Sequence, residues 1–596
     1  MPDSPMNNTS AVVMLSIIAD GKPIDDTIQI VSVSVTKTIN KIPYARIELL
    51  DGDMPDKDFP VSNGKAFKPG NEIEIKAGYG DADESLFKGI IVRHGIKITG
   101  DNNSRLVIEC RDQAVKMTIG RKNANFIDLK DSEIITKLVN NHGLTPDVDA
   151  TTTSYTELVQ YYCSDWDFML SRAEVNGFLV CVDAAKLSVK APEVSGEAEL
   201  KLTYGEDLIE LHADIDVRTQ LTAVDGVSWD PAKLDIVKQT APPKTLNAQG
   251  DLTSKQLADI VGPKTFGLQT PGLIEAVALK GWAEAQQVKA GLARIRGRMK
   301  FQGSAKAAPG TLIELDGVGE HFNGKVFVSS VTQLITSSGN WVSEVSFGMS
   351  PDWFAEQRDL VAPPASGWLP GVEGLQIGVV MKLDEDPCEQ SRIQVKLPVM
   401  QAETEGVWAR LANFYASNSI GVFFIPEIGD EVVLGYLNND PSNPVILGSL
   451  YGPKNKPPYE LTAENNTKAI VTRSELKIEF DEDKKITTII TPGENKVVLN
   501  DDEKSILMQD QNNNKVELNP DGIVLDSPSD ISITAKGKIT IDAIGAIDLS
   551  SKADVSVKGM NVNHEASVGF VAKGNATAEL SASGQTTVKG AMVMIN

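Results

Sequence analysis

Short runs that alternate apolar and polar residues fill most of the first part of the chain. That is the pattern of half-buried antiparallel strands. It predicts strands over residues 31–35, 46–50, 72–79, 86–98 and 105–110, with turn signals at Asp51-Gly52 and Pro69-Gly70 between them. The period then changes to that of helices. Asp131 is placed to cap a segment whose face carries Ile134, Ile135, Leu138 and Val139, and Gly143 to end it. Ser164, with Asp167 three residues on, resembles a capping box that opens a helix over 165–176, closed by Gly177. A longer helix is expected over 274–296, with Ala278, Trp282, Ala285, Val288, Leu292 and Ile295 as its apolar stripe. Strand patterns return at 311–315 and 325–331.

A Pro- and Gly-rich stretch follows, Ala362 to Gly367 and then Pro370-Gly371, which reads as a linker. Beyond it, six short strands are expected within about 80 residues: 375–382, 392–397, 407–410, 421–424, 431–436 and 445–450. That density of strands and turns suggests a small closed barrel of the OB type.

The last part carries the sharpest pattern. Strand-like runs at 476–480, 486–490, 496–499 and 515–518 lead into a regular repeat of eight: ISITAKGK, ITIDAIGA, IDLSSKAD, VSVKGMNV. Each octad opens on two apolar residues two apart, namely Ile531/Ile533, Ile539/Ile541, Ile547/Leu549 and Val555/Val557. A fixed period means a repeat architecture, and strand alternation puts both members of a pair on one face. The register falters at Asn563 to Glu565 and resumes loosely with Val568/Phe570, Ala578/Leu580, Thr586/Val588 and Val593/Ile595. Eight residues are too few for one chain to wind a closed β-helical coil, and a lone ribbon with one apolar face is marginal in water. Three identical chains, each supplying one side of a triangular prism, would bury the pairs on a common axis. A homotrimer is therefore expected.

Composition narrows the function. A chain of 596 residues, 41% hydrophobic and 23% charged, is long enough for several domains. Its formal net charge of −24 repels phosphate backbones and anionic lipid, so nucleic acid is not an expected partner. The polar N-terminus lacks a basic leader region, and the apolar run 11–18 is too short to span a bilayer. Assembly in the cytoplasm without a signal peptide is the expectation. Cys110, Cys163, Cys181 and Cys388 lie far apart in no ligand-like spacing and read as reduced thiols.

No catalytic, cofactor or metal constellation stands out. His94, His142, His212, His321 and His564 are scattered outside any metal-protease or nucleophile motif. Leu315-Asp316-Gly317-Val318-Gly319 lacks the following helix that a phosphate cradle needs. His564 alone invites an ion hypothesis, because threefold symmetry would bring three inward side chains together near an axis. A solvated corner is the simpler reading.

Particular segments also resemble a known family. VTKTINKIPYARIELLDGD (35–53), LFKGIIVRHGIKI (86–98), CSDWDFMLSRAEVNGFLV (163–180) and PGTLIELDGVGEHFNGKVFVSSV (309–331) look like hub segments of VgrG-type spike proteins. Those proteins belong to type VI secretion and extracellular contractile injection systems, and they resemble the fused hub and spike of contractile phage tails. IPEIGDEVVLGYLNNDPSNPVILGSLY (425–451) is similar to the family's OB segment, and TVKGAMVMIN to the blunt end of its needle. The segment 51–75 leans toward the extracellular, phage-like particles. The resemblance implies a mainly β, multidomain chain. A hub-like region with helices would span 1–360, a linker 361–373, an OB barrel 374–455 and an intertwined trimeric β-helix 456–596. It implies a non-enzymatic spike whose partners are inner-tube and baseplate hub proteins, a PAAR-like tip protein and effector cargo. The tip protein would dock on Gly590, Ala591, Met592, Val593, Met594, Ile595 and Asn596. No lysozyme-like insert fits between barrel and needle. A receptor-binding fibre would share the needle but leave hub and barrel without purpose. A polysaccharide-degrading β-helix would need longer coils and catalytic clusters.

Overall fold

The computed structural model describes residues 3–7, 12–80, 84–100, 103–230, 232–357, 360–400 and 406–595. The chain is mainly β and divides into two compact units, Met1–Tyr451 and Gly452–Asn596.

In the first unit the alternating runs become strands, with boundaries close to those expected. Tyr44–Leu50 buries Ala45, Ile47 and Leu49, and Glu72–Tyr79 buries Ile73, Ile75 and Ala77, because successive side chains leave opposite faces of a strand. Among the described residues, these strands belong to one 13-stranded sheet. Its path runs from Leu208–Ile215 through Ile295–Gln302, Trp341–Phe347 and Gly324–Thr336. It then continues through Ile30–Thr38, Tyr44–Leu50, Ser104–Arg111, Glu84–Ile98, Glu72–Tyr79 and Val13–Ala19. The junction of its two sequence-distant halves is the antiparallel pair Ile30–Thr38 with Gly324–Thr336. Hydroxyls bridge that junction, Thr36 Oγ1 to Thr332 Oγ1 at 3.1 Å and Thr38 Oγ1 to Ser330 Oγ at 2.6 Å. Separate apolar clusters pack on the two halves, one around Ile47, Ile75 and Ile108, the other around Met299, Phe301 and Phe347.

The helices form where expected, with three differences of detail. Lys130, not Asp131, precedes the helix Asp131–Asn140, and its backbone N–H donates to the Glu133 carboxylate at 2.8 Å. Asp131 sits instead in the first turn, buried, where Arg172 donates from Nε (2.7 Å) and Nη2 (3.0 Å) and Asn176 from Nδ2 (2.8 Å). Ser164 caps Asp165–Val175 by accepting from Asp167 N–H, but its hydroxyl donates to the Asp167 carboxylate, so the box is not reciprocal. The long helix is shorter than its period suggests, Ala276–Leu292, and Ile295 begins a strand. Its buried positions include Leu279, Ala283, Ala285, Ala290 and Leu292, so the inward stripe is rotated from the one expected: Ala278, Trp282 and Val288 are only half-buried. Ala283 and Ala290 pack there with Leu221, Val224 and Ala241, and the buried Gln287 donates from Nε2 to Ala241 O at 3.3 Å.

The small barrel closes as Gln376–Lys382, Ile393–Lys396, Val407–Leu411, Pro444–Ser449 and Glu431–Tyr436, around Val380, Val395, Ala409, Val432, Leu434 and Ile446. The expected strand 421–424 is not part of it. Gly421 pairs in a two-residue ribbon, Ala416–Ser417 with Ile420–Gly421, while Phe423 and Phe424 lie exposed outside the barrel. Three consecutive apolar residues, Val422 to Phe424, offer no in–out alternation for a barrel wall to use. Asp386 ties the loop after the first barrel strand. Arg392 donates to it from its guanidinium, and the backbone N–H groups of Cys388, Gln390 and Arg392 add to this, holding the carboxyl well below the usual range.

Two outcomes test this account. Asp131→Ala leaves the mostly buried Arg172 without a carboxylate, with the Tyr155 hydroxyl still accepting from Nη2, and should lower the stability of the first unit by about 3 kcal/mol in urea unfolding. In the folded chain a maleimide should label exposed Cys388 readily. Cys110 and Cys181, whose burial pushes their thiols up to about 12 and about 11, should stay unreacted.

Candidate functional site

The second unit differs from the first in one decisive respect: none of its described residues is buried. Seven strands, Thr467–Val471, Lys477–Asp481, Ile486–Ile490, Lys496–Asn500, Ser505–Gln509, Lys515–Asn519 and Gly522–Asp526, form an antiparallel meander. Three of them (467–471, 505–509 and 522–526) escape the strand-by-strand reading. A 19-residue self-similarity relates two of them, 467–471 and 505–509, to 486–490, and it recurs in the intervening strands. Lys477, Lys496 and Lys515 are each followed by a β-branched residue (Ile478, Val497, Val516) and then by Phe480, Leu499 or Leu518. Asp481, Asn500 or Asn519 comes next. The side chains of that last set make the turns, accepting from the backbone N–H groups of Asp483 and Lys484, of Glu503, and of Asp521 and Gly522.

The register of this sheet sorts its side chains into faces. One row across it is Ile470, Ile478, Ile489, Val497, Met508, Val516 and Leu525; a second is Lys468, Phe480, Thr487, Leu499, Ile506, Leu518 and Ile523. Only Lys468 and Thr487 interrupt the apolar character of this face. The opposite face mixes in Lys477, Glu479, Lys496, Lys515 and Glu517. A groove of about 730 Å³ lies over the first row, and Ile531 and Ser532 of the first octad help line it. Sheet and first octad thus line one groove in common.

From Ser527 to Ile595 the chain makes no strand pairs. Strands need a ladder partner, and an eight-residue step leaves none within one copy. The repeat is nonetheless regular: bends fall at 528–529, 536–537, 544–545, 552–553 and 560, then at 567–568, 575–576, 583–584 and 591–592. The interval shortens once, to seven residues between 560 and 567. The expected falter at 563–565 is therefore a slip of one residue, and Ala578/Leu580 and Thr586/Val588 keep the same place relative to their bends. Ile531, Ile533, Ile539, Ile541, Ile547, Leu549, Val555 and Val557 are 51–80% exposed in the single chain. At the end of the repeat, Gly590 to Ile595 are exposed as well; Asn596 lies outside the described residues.

The histidines sit in ordinary surroundings. His142 Nε2 lies 2.8 Å from Asp165 Oδ2, with Lys122 Nζ donating to the same oxygen at 2.5 Å. Burial pushes the Asp165 carboxyl up, but these donors and Gln160 outweigh it and leave the pKa lowered. His321, exposed, has its pKa raised by the hydrogen bond to Asp251. His212 is exposed opposite Arg298. His564 stacks on Phe570 with ring centroids 6.1 Å apart, and no group of three potential ligands able to hold a metal ion occurs among the described residues. Ser62 Oγ lies 2.7 Å from His94 Nε2, a spacing that a nucleophile and its base would share. Yet the Ser62 N–H donates to the Asp51 carboxylate at 2.7 Å, which sets a negative charge where an oxyanion would have to form.

Comparison with known proteins gives two family matches. Residues 9–337 match the family described as the Alg8 N-terminal domain, and 376–451 match the type VI secretion system/phage-baseplate injector OB domain. Among curated proteins the chain is 34% identical over 109 residues to the actin cross-linking toxin VgrG1 of Vibrio cholerae serotype O1 (17% of this chain, 10% of that protein). It is 32% identical over 128 residues to the type VI secretion system spike protein VgrG2a of Pseudomonas aeruginosa (20% and 15%). Against VgrG1b of the same organism it is 28% identical over 203 residues (32% and 27%). The chain is thus related to VgrG spike proteins, while aligning to only 10–27% of their length. Among solved structures, a 43 kDa tail protein of prophage MuSo2 from Shewanella oneidensis shares 12% identity over 57% of this chain and 98% of that one, TM-score 0.43. An Escherichia coli type VI secretion component shares 12% over 73% and 99%, TM-score 0.37.

Proposed function

This chain belongs to the family of the Alg8 N-terminal domain and is related to VgrG spike proteins, and we propose that it is the hub and puncturing spike of a contractile injection system, active as a homotrimer. The observation that carries the reading is the second unit's lack of any buried residue beside a continuous apolar surface. A unit of this length that buries nothing cannot offset the entropy of ordering its chain. Three copies wound about a common axis would turn the rows at 470–525 and the octad pairs inward. They would also give every octad strand a ladder partner in the next copy. A spike is a mechanical element. The injector OB match over 376–451 favours this reading over a receptor-binding fibre, which has no use for such a module.

In this reading the first unit joins the needle to inner-tube and baseplate hub proteins, and effector cargo travels with the spike. No helix among the described residues is long and apolar enough to cross a membrane. The spike would reach its target by ejection with the particle. In this reading Gly590 to Asn596 form the docking surface for a PAAR-like tip protein, because residues 590–595 carry unpaired backbone and exposed apolar side chains that such a protein would cover.

Light scattering of the full chain at micromolar concentration should give a mass of about 193 kDa, three copies of a 64.2 kDa chain; a 64.2 kDa particle would refute the assembly. Ile539→Asp with Ile541→Asp would set six charges near a dry axis, where each costs several kcal/mol. The needle should become protease-sensitive while hub and barrel stay folded. A fully resistant trimer would place these side chains away from the axis. Deleting residues 590–596 should preserve the trimer and abolish capture of the tip protein at matched trimer concentration; equal recovery by full-length and truncated spikes would move the docking surface elsewhere.

A further inference from the structure

The barrel presents two apolar surfaces that its own core leaves unused. The first is the hairpin between Val407–Leu411 and Glu431–Tyr436. From Leu411 to Pro426 it contains no charged residue, in a chain that is 23% charged and carries −24. Phe414 and Phe423 are 87% and 88% exposed, and Tyr415, Ile420 and Phe424 are exposed beside them. The hairpin is nevertheless built, not loose. Val422 N–H donates to Tyr415 O at 2.9 Å, and Asn413 Nδ2 donates to Val422 O at 2.7 Å. Gly421, at φ 148°, fits where a Cβ would lie 2.7 Å from Tyr415 O. Four aromatic rings are thus held out in solvent by a fixed scaffold.

The second surface is the outer wall of the same barrel. Strand alternation sends Val380, Val432, Leu434 and Ile446 inward, and leaves Ile377, Val433 and Leu447 on the outside. Ile377 pairs with Val433 across one ladder, and Val433 with Gly448 across the next. Gly435 keeps the wall flat between Leu447 and Leu375: a Cβ there would sit 3.3 Å from Leu447 Cδ1 and 3.8 Å from Leu375 Cδ2. Leu375, Ile377 and Leu447 are all exposed, so the hairpin of the same copy does not cover them.

We infer that the aromatic hairpin of one copy seats Phe414 and Phe423 on the Leu375–Ile377–Val433–Leu447 wall of the next copy's barrel. The inference rests on the threefold assembly proposed above. The occupant follows from charge. A foreign partner of an acidic protein would be selected most readily by basic groups, and the hairpin carries no charge for such groups to read. Two acidic copies, by contrast, meet most readily where like charges are fewest: the hairpin carries none, and on the wall Glu431, opposite Val379, is the carboxylate that shares the outward face with Val433. One module also carries both halves of the contact, hairpin and wall, so the interface is head-to-tail. Interfaces of that kind close into rings when the rotation permits. Projecting aromatic anchors on a flat aliphatic wall match the make-up of interface hot spots.

The test uses the full-length chain with p-benzoyl-phenylalanine in place of Phe423, prepared as an equal mixture of ¹⁵N-labelled and unlabelled copies. Irradiation should join position 423 of one copy to residues 375–381 or 433–447 of another, seen as mixed-isotope peptides by mass spectrometry. Ile377→Asp with Leu447→Asp on the same probe-bearing chain should lower that yield at least about tenfold, the factor expected for the loss of 1.4 kcal/mol at an interface. A chain of about 193 kDa whose probe reacts only within its own copy, or only with the hairpin of another, would overturn this contact and leave the trimer standing. A chain that scatters as a 64.2 kDa monomer overturns the trimer and this contact together.

Discussion

Every feature of the second unit depends on removing its apolar side chains from water, and a single copy has no means of doing so. The hydrophobic effect scales with buried area, and between Gly452 and Ile595 no described residue is buried. Two consequences follow from the same geometry. The pairs two apart, which put both side chains on one face, also leave the opposite face to short turns and polar residues. The step of eight, which keeps the pairs in line, also leaves each strand without a ladder partner in its own chain. Packing and backbone hydrogen bonding therefore make the same demand for other chains, and three copies about one axis meet both.

The first unit works the other way. Its 13-stranded sheet is closed by a pairing between residues 30–38 and 324–336, nearly 300 positions apart, with apolar clusters on both sides. Such a unit has a core without help, and its buried carboxylates Asp131 and Asp165 are paired, with Arg172 and with Lys122. Removing one partner of a pair like these costs far more than the pair contributes when intact. In the proposed spike the two units would divide the labour. One is a self-sufficient body able to carry docking surfaces, and the other acquires rigidity only in company.

The barrel lies between these cases. Its core is complete, yet its outer wall and its aromatic hairpin keep apolar character that a solitary domain would not need. The acidity of the chain sharpens the point. With a net charge of −24, copies repel at long range, and contacts between them have to be made where charge is missing. Uncharged surfaces on an acidic chain are where assembly is possible.

Much of this was legible before any coordinates. Strand alternation located five strands between Ile30 and Arg111 but not Val13–Ala19 or Lys22–Pro23, and the octad pairs with their slip near His564 were readable from spacing, because side-chain periodicity is a property of the local backbone. The VgrG relationship, too, was carried by segments such as 425–451. What depended on contacts far along the chain was not readable. The long helix turned a different stripe inward, with Ala283 and Ala290 buried against Leu221, Val224 and Ala241 from distant parts of the chain. Asp131 left the cap to join Arg172, and the run 421–424 left the barrel because Val422, Phe423 and Phe424 cannot alternate. The apolar rows of the meander could have been found from the 19-residue repeat, but their shared face needed the register of all seven strands. Periodicity determines which residues share a face; only the tertiary structure decides what, if anything, that face meets.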